Sequence, residues 1–168
     1  EGALWSKLYC GYFDRQKPDG TMSLGIKNVK ELVKKLKQEN ETLLDPNAPL
    51  VGWGLDPIYF DDKALDRKIL DMVSDQRPIG ILHASGHKLN INSVGLKLAG
   101  FLRTGINHEG LPLGKDGLPS GEIRGAETIA LVTRHVGLGK DWLSGDAEGL
   151  RNFGKICARA GVTTAADL

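Results

Sequence analysis

Two of the chain's four histidines, His83 and His87, stand four residues apart in a stretch that begins as an apolar strand, Ile79 to Leu82, and ends as a helix opening at Asn92-Ser93. On a helix, histidines at i and i+4 share a face and can hold zinc. Here Ser85-Gly86 lies between them directly after a strand, which favours a loop. No third ligand is close in sequence, and no Glu within the motif can act as a base. The pair therefore reads as loop histidines and not as a metal site. Position gives His87 a different role. It follows the carboxyl end of a strand, and in open α/β sheets and β/α barrels that end carries the ligand. An imidazole there can donate to or accept from a polarised carbonyl near neutral pH. Ser85 beside the histidines makes no triad without an orienting acid. There is no Gly-x-Gly-x-x-Gly, P-loop or Gly-x-Ser-x-Gly pattern.

The elements that must position these residues follow from local patterns. Residues 1–25 open with aromatics (Trp5, Tyr9, Tyr12, Phe13) and turn at Pro18-Asp19-Gly20. Asn28 caps a first helix, with Glu31 at the capping-box position, and the helix runs to about Asn40. Val29, Leu32, Val33 and Leu36 form its apolar stripe. Lys27, Lys30, Lys34, Lys35 and Lys37 decorate its outer face, so the basic cluster is a solvated helix surface and not a nucleic-acid patch. Leu50 to Gly54 reads as a short buried strand. Asp61 or Asp62 caps a second helix with Leu65, Ile69, Met72 and Val73 on one face, and Arg77-Pro78 ends that connection. Asn92-Ser93 caps a third helix that stops at Gly100. Lys115-Asp116-Gly117 closes a hairpin. A fourth helix covers about Ala126 to Val136 with Ile129, Val132 and Val136 inward, stopped by Gly137. A fifth runs from about Asp146 to Ala160 with Leu150, Phe153, Cys157 and Ala160 on one stripe. Val162 to Leu168 reads as a terminal strand, with Asp167 at its end. Alternation of strand and helix argues an α/β fold with parallel strands.

The bulk properties exclude several classes. The chain has 168 residues, 40% hydrophobic and 26% charged, with net charge 22 − 21 = +1 and a mean hydropathy of −0.22. That suffices for one domain with its own core. No global field draws it to nucleic acid or to an acidic membrane, and no apolar run approaches a membrane span. Cys10 and Cys157 form no Cys-x-x-Cys motif, and a reduced cytoplasmic protein is the simplest reading. The chain begins at Glu1 without Met, as a processed product, a deliberately cut piece or a gene fragment would.

Four stretches together carry a family resemblance: VGWGLD, LDMVSDQRPIGILHASGHKLNINSVGLKLAG, DGLPSGEI and ARAGVTTAADL. In this order and spacing they resemble amidohydrolase family 3, the group that includes N-substituted formamide deformylases. The shared pattern is Arg77-Pro78, the strand, Gly86-His87, Asn92-Ser93, Gly100, Pro119-Ser120-Gly121 and Gly161 to Thr164. It covers about residues 50–168. The resemblance implies a metal-dependent β/α (TIM) barrel that hydrolyses amide-like C–N bonds, with a divalent metal, zinc for preference, supplying the hydroxide. It also implies that His87 faces the substrate, with Asn92 and Trp53 as further substrate-binding residues; helix capping and core packing are the plainer roles of those two. The sequence departs from the family in three places. The His-x-His metal pair expected just before Glu1 and the later ligand-bearing strands are missing. The Glu expected after the Pro-Ser-Gly motif falls at Gly125, with Glu122 and Glu127 nearby. Ser85 stands where relatives often carry Asp.

The expectation is thus a single α/β unit: residues 1–49 as a helical and loop insertion after the first barrel strand, residues 50–168 as an α/β portion ending in a barrel strand. It is a segment of a metal-dependent amidohydrolase, inactive alone, with no metal of its own and no assigned catalytic residue. Its partners are a small amide-like substrate in the whole enzyme and, through exposed sheet edges, further copies of itself; neither nucleic acid nor membrane is expected. The alternative is an independent α/β module that binds a small molecule or a protein.

Overall fold

A computed structural model of the chain describes residues 2–60, 65–139 and 147–166. Seven strands and five helices are described: β1 (Leu8–Tyr9), β2 (Arg15–Gln16), β3 (Met22–Ser23), α1 (Val29–Thr42), β4 (Leu50–Leu55), α2 (Arg67–Asp71), β5 (Ile79–His83), β6 (Lys88–Ile91), α3 (Ser93–Leu98), β7 (Glu122–Arg124), α4 (Ala126–Val132) and α5 (Ala147–Arg159). Five strands form one sheet in the order β1-β4-β5-β6-β7, and β2 and β3 form a separate hairpin. β1, β4 and β5 are parallel. β6 runs against β5, and β7 against β6, so four of the five strands point the same way.

The strand period of two sends alternate side chains to opposite faces. From β4 and β5, Val51, Trp53 and Leu82 enter one core with Leu96 of α3 and Ile129 and Val132 of α4. Leu50, Leu55, Ile79 and Ile81 enter the other, with Leu32 and Leu36 of α1 and Leu70 of α2. Both faces of β4 and β5 are fully covered, which is why these strands read as unbroken apolar runs. The α/β class holds. The described strands form an open sheet between helical layers and do not close into a barrel.

The caps formed as their residues dictate. The Glu31 N–H donates to Asn28 Oδ1 at 2.9 Å, and Glu31 Oε2 accepts from the Lys27 N–H at 2.9 Å, a reciprocal cap whose return bond falls one residue before the capping-box position. The Gly95 N–H donates to Asn92 Oδ1 at 3.0 Å, and α3 ends before Gly100 at φ +77°. The loop at Lys115-Asp116-Gly117 closes through a Gly114 N–H bond to the Leu118 carbonyl at 2.7 Å. Ile129, Val132 and Val136 are buried. Arg77 ties its loop by donating to the carbonyls of Ala48 at 2.6 Å and Leu43 at 3.2 Å.

Five expectations change. Residues 84–87 are not the link from a strand to a helix: they turn a hairpin into β6, where Leu89 and Ile91 add to the sheet core. Residues 1–49 are not only helix and loop, because Leu8 and Tyr9 pair with Gly52 and Trp53. Helix α2 is capped by Asp66, whose Oδ1 accepts from the Ile69 N–H at 3.0 Å, and Met72 points to solvent; Asp61 and Asp62 lie outside the described residues. The stripe of α5 is not inward. Leu150 is 72% exposed, and the helix instead seats Gly149 against the turn at Gly2–Ser6, where a Cβ on Gly149 would meet Ala3 at 3.0 Å. Val162 to Ala166 is exposed and joins no strand; Asp146 and Asp167 are outside the described residues. Among the described residues no helix is long and apolar enough to cross a membrane.

Candidate functional site

At the carboxyl ends of β1, β4 and β5 the chain leaves a cleft of about 480 Å³. Its floor is Tyr9 and Trp53, 6% and 5% exposed. Their rings meet edge to face with centroids 5.1 Å apart, a geometry that aligns ring edge with ring face. Trp5 packs against Trp53 from behind, also at 5.1 Å and at 86°. Tyr12, Phe13 and Tyr59 form the rim. Tyr12 and Tyr59 stack at 5.0 Å, and Phe13 meets Tyr59 edge-on at 5.0 Å. Phe13 and Tyr59 remain about half exposed. The ammonium of Lys27 covers the ring of Tyr12 at 4.2 Å from its centroid. A hydrogen bond of 2.9 Å from the Tyr9 hydroxyl to the Phe13 carbonyl ties floor to rim.

One glycine makes this floor possible. Gly54 sits at φ +87°, where a Cβ would lie 2.9 Å from the Tyr9 ring. The register of β4 against β5 shifts between Trp53 and Leu55, a bulge that re-aims the strand end. Asp56 follows it, lining the cleft and capping the Pro57–Tyr59 turn through a 3.2 Å bond from the Ile58 N–H.

The polar wall of the cleft is His83, the last residue of β5 and 6% exposed. Its Nε2 lies 2.6 Å from Asn90 Oδ1, while Asn90 Nδ2 donates to the Leu65 carbonyl at 2.7 Å. Burial holds the His83 imidazole below its usual pKa, and the Asn90 hydrogen bond offsets part of that shift. Neutral imidazole is therefore the form in the fold near neutral pH.

The residues singled out from sequence lie apart. Trp53 lines the cleft. His87 is exposed in the β5–β6 turn at the same rim, with its carbonyl accepting from the Gly125 N–H at 3.0 Å; Gly86 beside it reaches the cleft. Asn92 is fully buried at the opposite rim. Besides capping α3, its Oδ1 accepts from the Ile79 N–H at 3.0 Å, and its Nδ2 donates to the carbonyls of Ser74 at 3.0 Å and Arg77 at 2.9 Å. Glu122 Oε1 is paired with Lys88 at 3.2 Å and Arg124 at 2.8 Å. Burial raises its pKa, but those two hydrogen bonds outweigh burial and hold the carboxyl below the usual range. Glu127 is exposed in the first turn of α4. His83, Asp56 and Tyr59 are among the cleft residues that position in sequence did not single out for a ligand. The signals were the aromatic density of residues 5–13 and the Gly54-Leu55-Asp56 step at a strand end.

Among the described residues no three His, Cys, Asp or Glu side chains come together as a metal site. The His83 Nε2 is committed to Asn90, and His87 lies out on the turn. The described residues thus do not fit a hydrolytic metal.

No protein-family model matches the chain, and no curated protein matches it. Among solved structures it is similar to an uncharacterized metal-dependent hydrolase from Pyrococcus horikoshii OT3, with a TM-score of 0.54 and 13% identity over 96% of this chain and 32% of that one. It is similar also to an uncharacterized metal-dependent hydrolase from Pyrococcus furiosus, with a TM-score of 0.50 and 14% identity over 96% of this chain and 33% of that one. The chain spans about a third of the length of those hydrolases. At such identities the likeness is one of fold: a mixed α/β unit similar to part of a metal-dependent hydrolase.

Proposed function

We propose that this chain is the substrate-recognition segment of a metal-dependent hydrolase that cleaves amide-like C–N bonds in small molecules, and that the cleft beside Trp53 and His83 receives the substrate. The observation that carries the reading is the five-ring cleft opening at the carboxyl ends of three parallel strands, the end at which α/β and β/α enzymes place their ligands. The reaction class rests on the ordered motifs that resemble amidohydrolase family 3, and the metal-dependent class on the fold likeness. In this reading β1, β4 and β5 are the strands shared with a barrel. The chain's own described groups bind and orient: aromatic faces take an apolar substituent and exclude water, and His83 offers a polar contact at the cleft wall.

The test is hydrolysis of N-benzylformamide by the complete protein encoded by the reading frame that contains this chain, supplied with zinc. Tyr59→Ala removes a half-exposed rim ring without opening the core. It should raise KM roughly tenfold, the scale of one aromatic contact and the apolar area it covers. A complete protein that hydrolyses no amide, or a Tyr59→Ala enzyme with unchanged KM, would overturn the reading.

A further inference from the structure

We infer that Nδ1 of His83 is the hydrogen-bond acceptor of the cleft, and that the ligand it recognises is a planar aromatic molecule carrying an N–H donor. The inference rests on the cleft being the ligand site proposed above, and it adds the polar half of the recognition.

The tautomer of His83 is fixed by Asn90. Its Nδ2 lies 2.7 Å from the Leu65 carbonyl. A carbonyl oxygen only accepts, so the atom facing it is the amide nitrogen, and the orientation of the Asn90 side chain is fixed. The atom facing His83 is then Oδ1, which also only accepts. At 2.6 Å the proton between them belongs to His83 Nε2. A neutral imidazole carries one N–H, so Nδ1 holds a bare lone pair. Nδ1 makes no hydrogen bond to any described residue, while the ring forms part of the cleft wall.

The charged groups that act on His83 come from three elements, Asp56 after β4, Lys88 on β6 and Glu122 on β7; Arg15 of β2 lines the same cleft and makes no hydrogen bond to His83. Lys88 and Glu122 are paired with each other at 3.2 Å. Asp56 is the remaining anion, and its carboxylate cannot donate to Nδ1. The acceptor is thus open to a donor from the ligand.

The rest of the cleft defines that ligand's body. Tyr9 and Trp53 present a rigid floor, and Tyr12 and Tyr59 a stacked rim, surfaces that favour a flat ring over an aliphatic chain. An N–H beside such a ring meets Nδ1. An acceptor covered by a ligand that offers it no donor costs about as much as a hydrogen bond returns, so a ligand stripped of its N–H should bind roughly tenfold more weakly.

The test uses the chain as it stands, with N-benzylformamide and N-benzyl-N-methylformamide as paired probes, titrated by nitrogen-15 NMR. In the free chain the His83 ring should show the Nε2–H tautomer. N-benzylformamide should bind about tenfold more tightly than its N-methyl analogue and should shift the Nδ1 resonance, which the analogue should leave in place. In His83→Phe the two probes should bind alike. An Nδ1–H tautomer in the free chain, equal binding of the two probes, binding of neither, or a preference that survives His83→Phe would each overturn the inference. Should His83→Phe fail to fold, the tautomer and the probe pair decide it in the unaltered chain. The reaction class is judged separately. A probe preference that obeys His83, in a complete protein that hydrolyses no amide, leaves the inference standing and removes the hydrolase reading.

Discussion

Replacing Asn92 by Ala should cost far more than the loss of a helix cap. A cap alone is worth about 1 kcal/mol. The Asn92 side chain makes four hydrogen bonds while fully buried. With Ala, the Ile79 N–H is stranded at the start of β5, which costs about 1–3 kcal/mol. The carbonyls of Ser74 and Arg77 each lose a donor as well. Together these give about 3–4 kcal/mol. With a urea m-value of about 2 kcal/mol per molar, the unfolding midpoint should fall by about 1.5–2 M. Asn92→Ser keeps an acceptor for the Gly95 N–H but cannot span to Ile79, so it should recover about 1 kcal/mol of the loss. Since Asn92 sits at the rim opposite the cleft, N-benzylformamide should bind folded Asn92→Ala as it binds the unaltered chain. A midpoint shift near 0.5 M, the cap alone, would refute the reasoning, and a large loss of probe affinity with little loss of stability would return Asn92 to the site.

Two further outcomes follow from buried groups. His83 takes a proton near pH 6.5 when unfolded, whereas burial holds the folded residue neutral to lower pH. The unfolded state then binds the extra proton, so His83's contribution is full above about pH 6.5 and is lost as pH falls below it; urea midpoints at pH 7.5 and 5.5 should show a drop that His83→Phe lessens, and an equal drop in the variant would count against it. The Cys10 thiol is pushed up to about 12, chiefly by burial, while Cys157 is partly exposed; an aromatic disulfide reagent at pH 8 should therefore titrate one thiol in the native chain and the second only in urea, and two fast thiols in the native chain would contradict the burial.

The parts of this fold legible in sequence were those whose causes are local. Asn28 with Glu31, and Asn92 with Gly100, mark helix ends through bonds spanning a few residues, and each formed as its residues dictate. The β5–β6 hairpin was hidden because Asn90, at an alternating position that reads as polar and outward, is buried and spends its side chain on His83 and Leu65. That one misread strand moved attention from His83 to His87: both lie at the correct end of β5, but the turn carries His87 into solvent. The α5 stripe misled for the opposite reason, since a helical period reports that a face is apolar without saying what covers it. The cleft was least legible. Its walls come from residues 9–13 and 53–59, and the pairing that joins them rests on the two-residue strand β1, too short to show any periodicity.

That strand also sets how the cleft moves. β1 is held to β4 by two residue pairs, Leu8 to Gly52 and Tyr9 to Trp53, across more than forty residues of chain, whereas β5 and β6 are joined by a short hairpin. Ordering a distant partner for so short a ladder returns little, so β1 should dock late in folding and detach early among local openings. Tyr9, Tyr12 and Phe13 leave with it. Admission of a ligand is then governed by the undocking of one thin strand, and a bound aromatic molecule should slow amide hydrogen exchange at Tyr9 and Cys10 while leaving β5 and β6 unchanged.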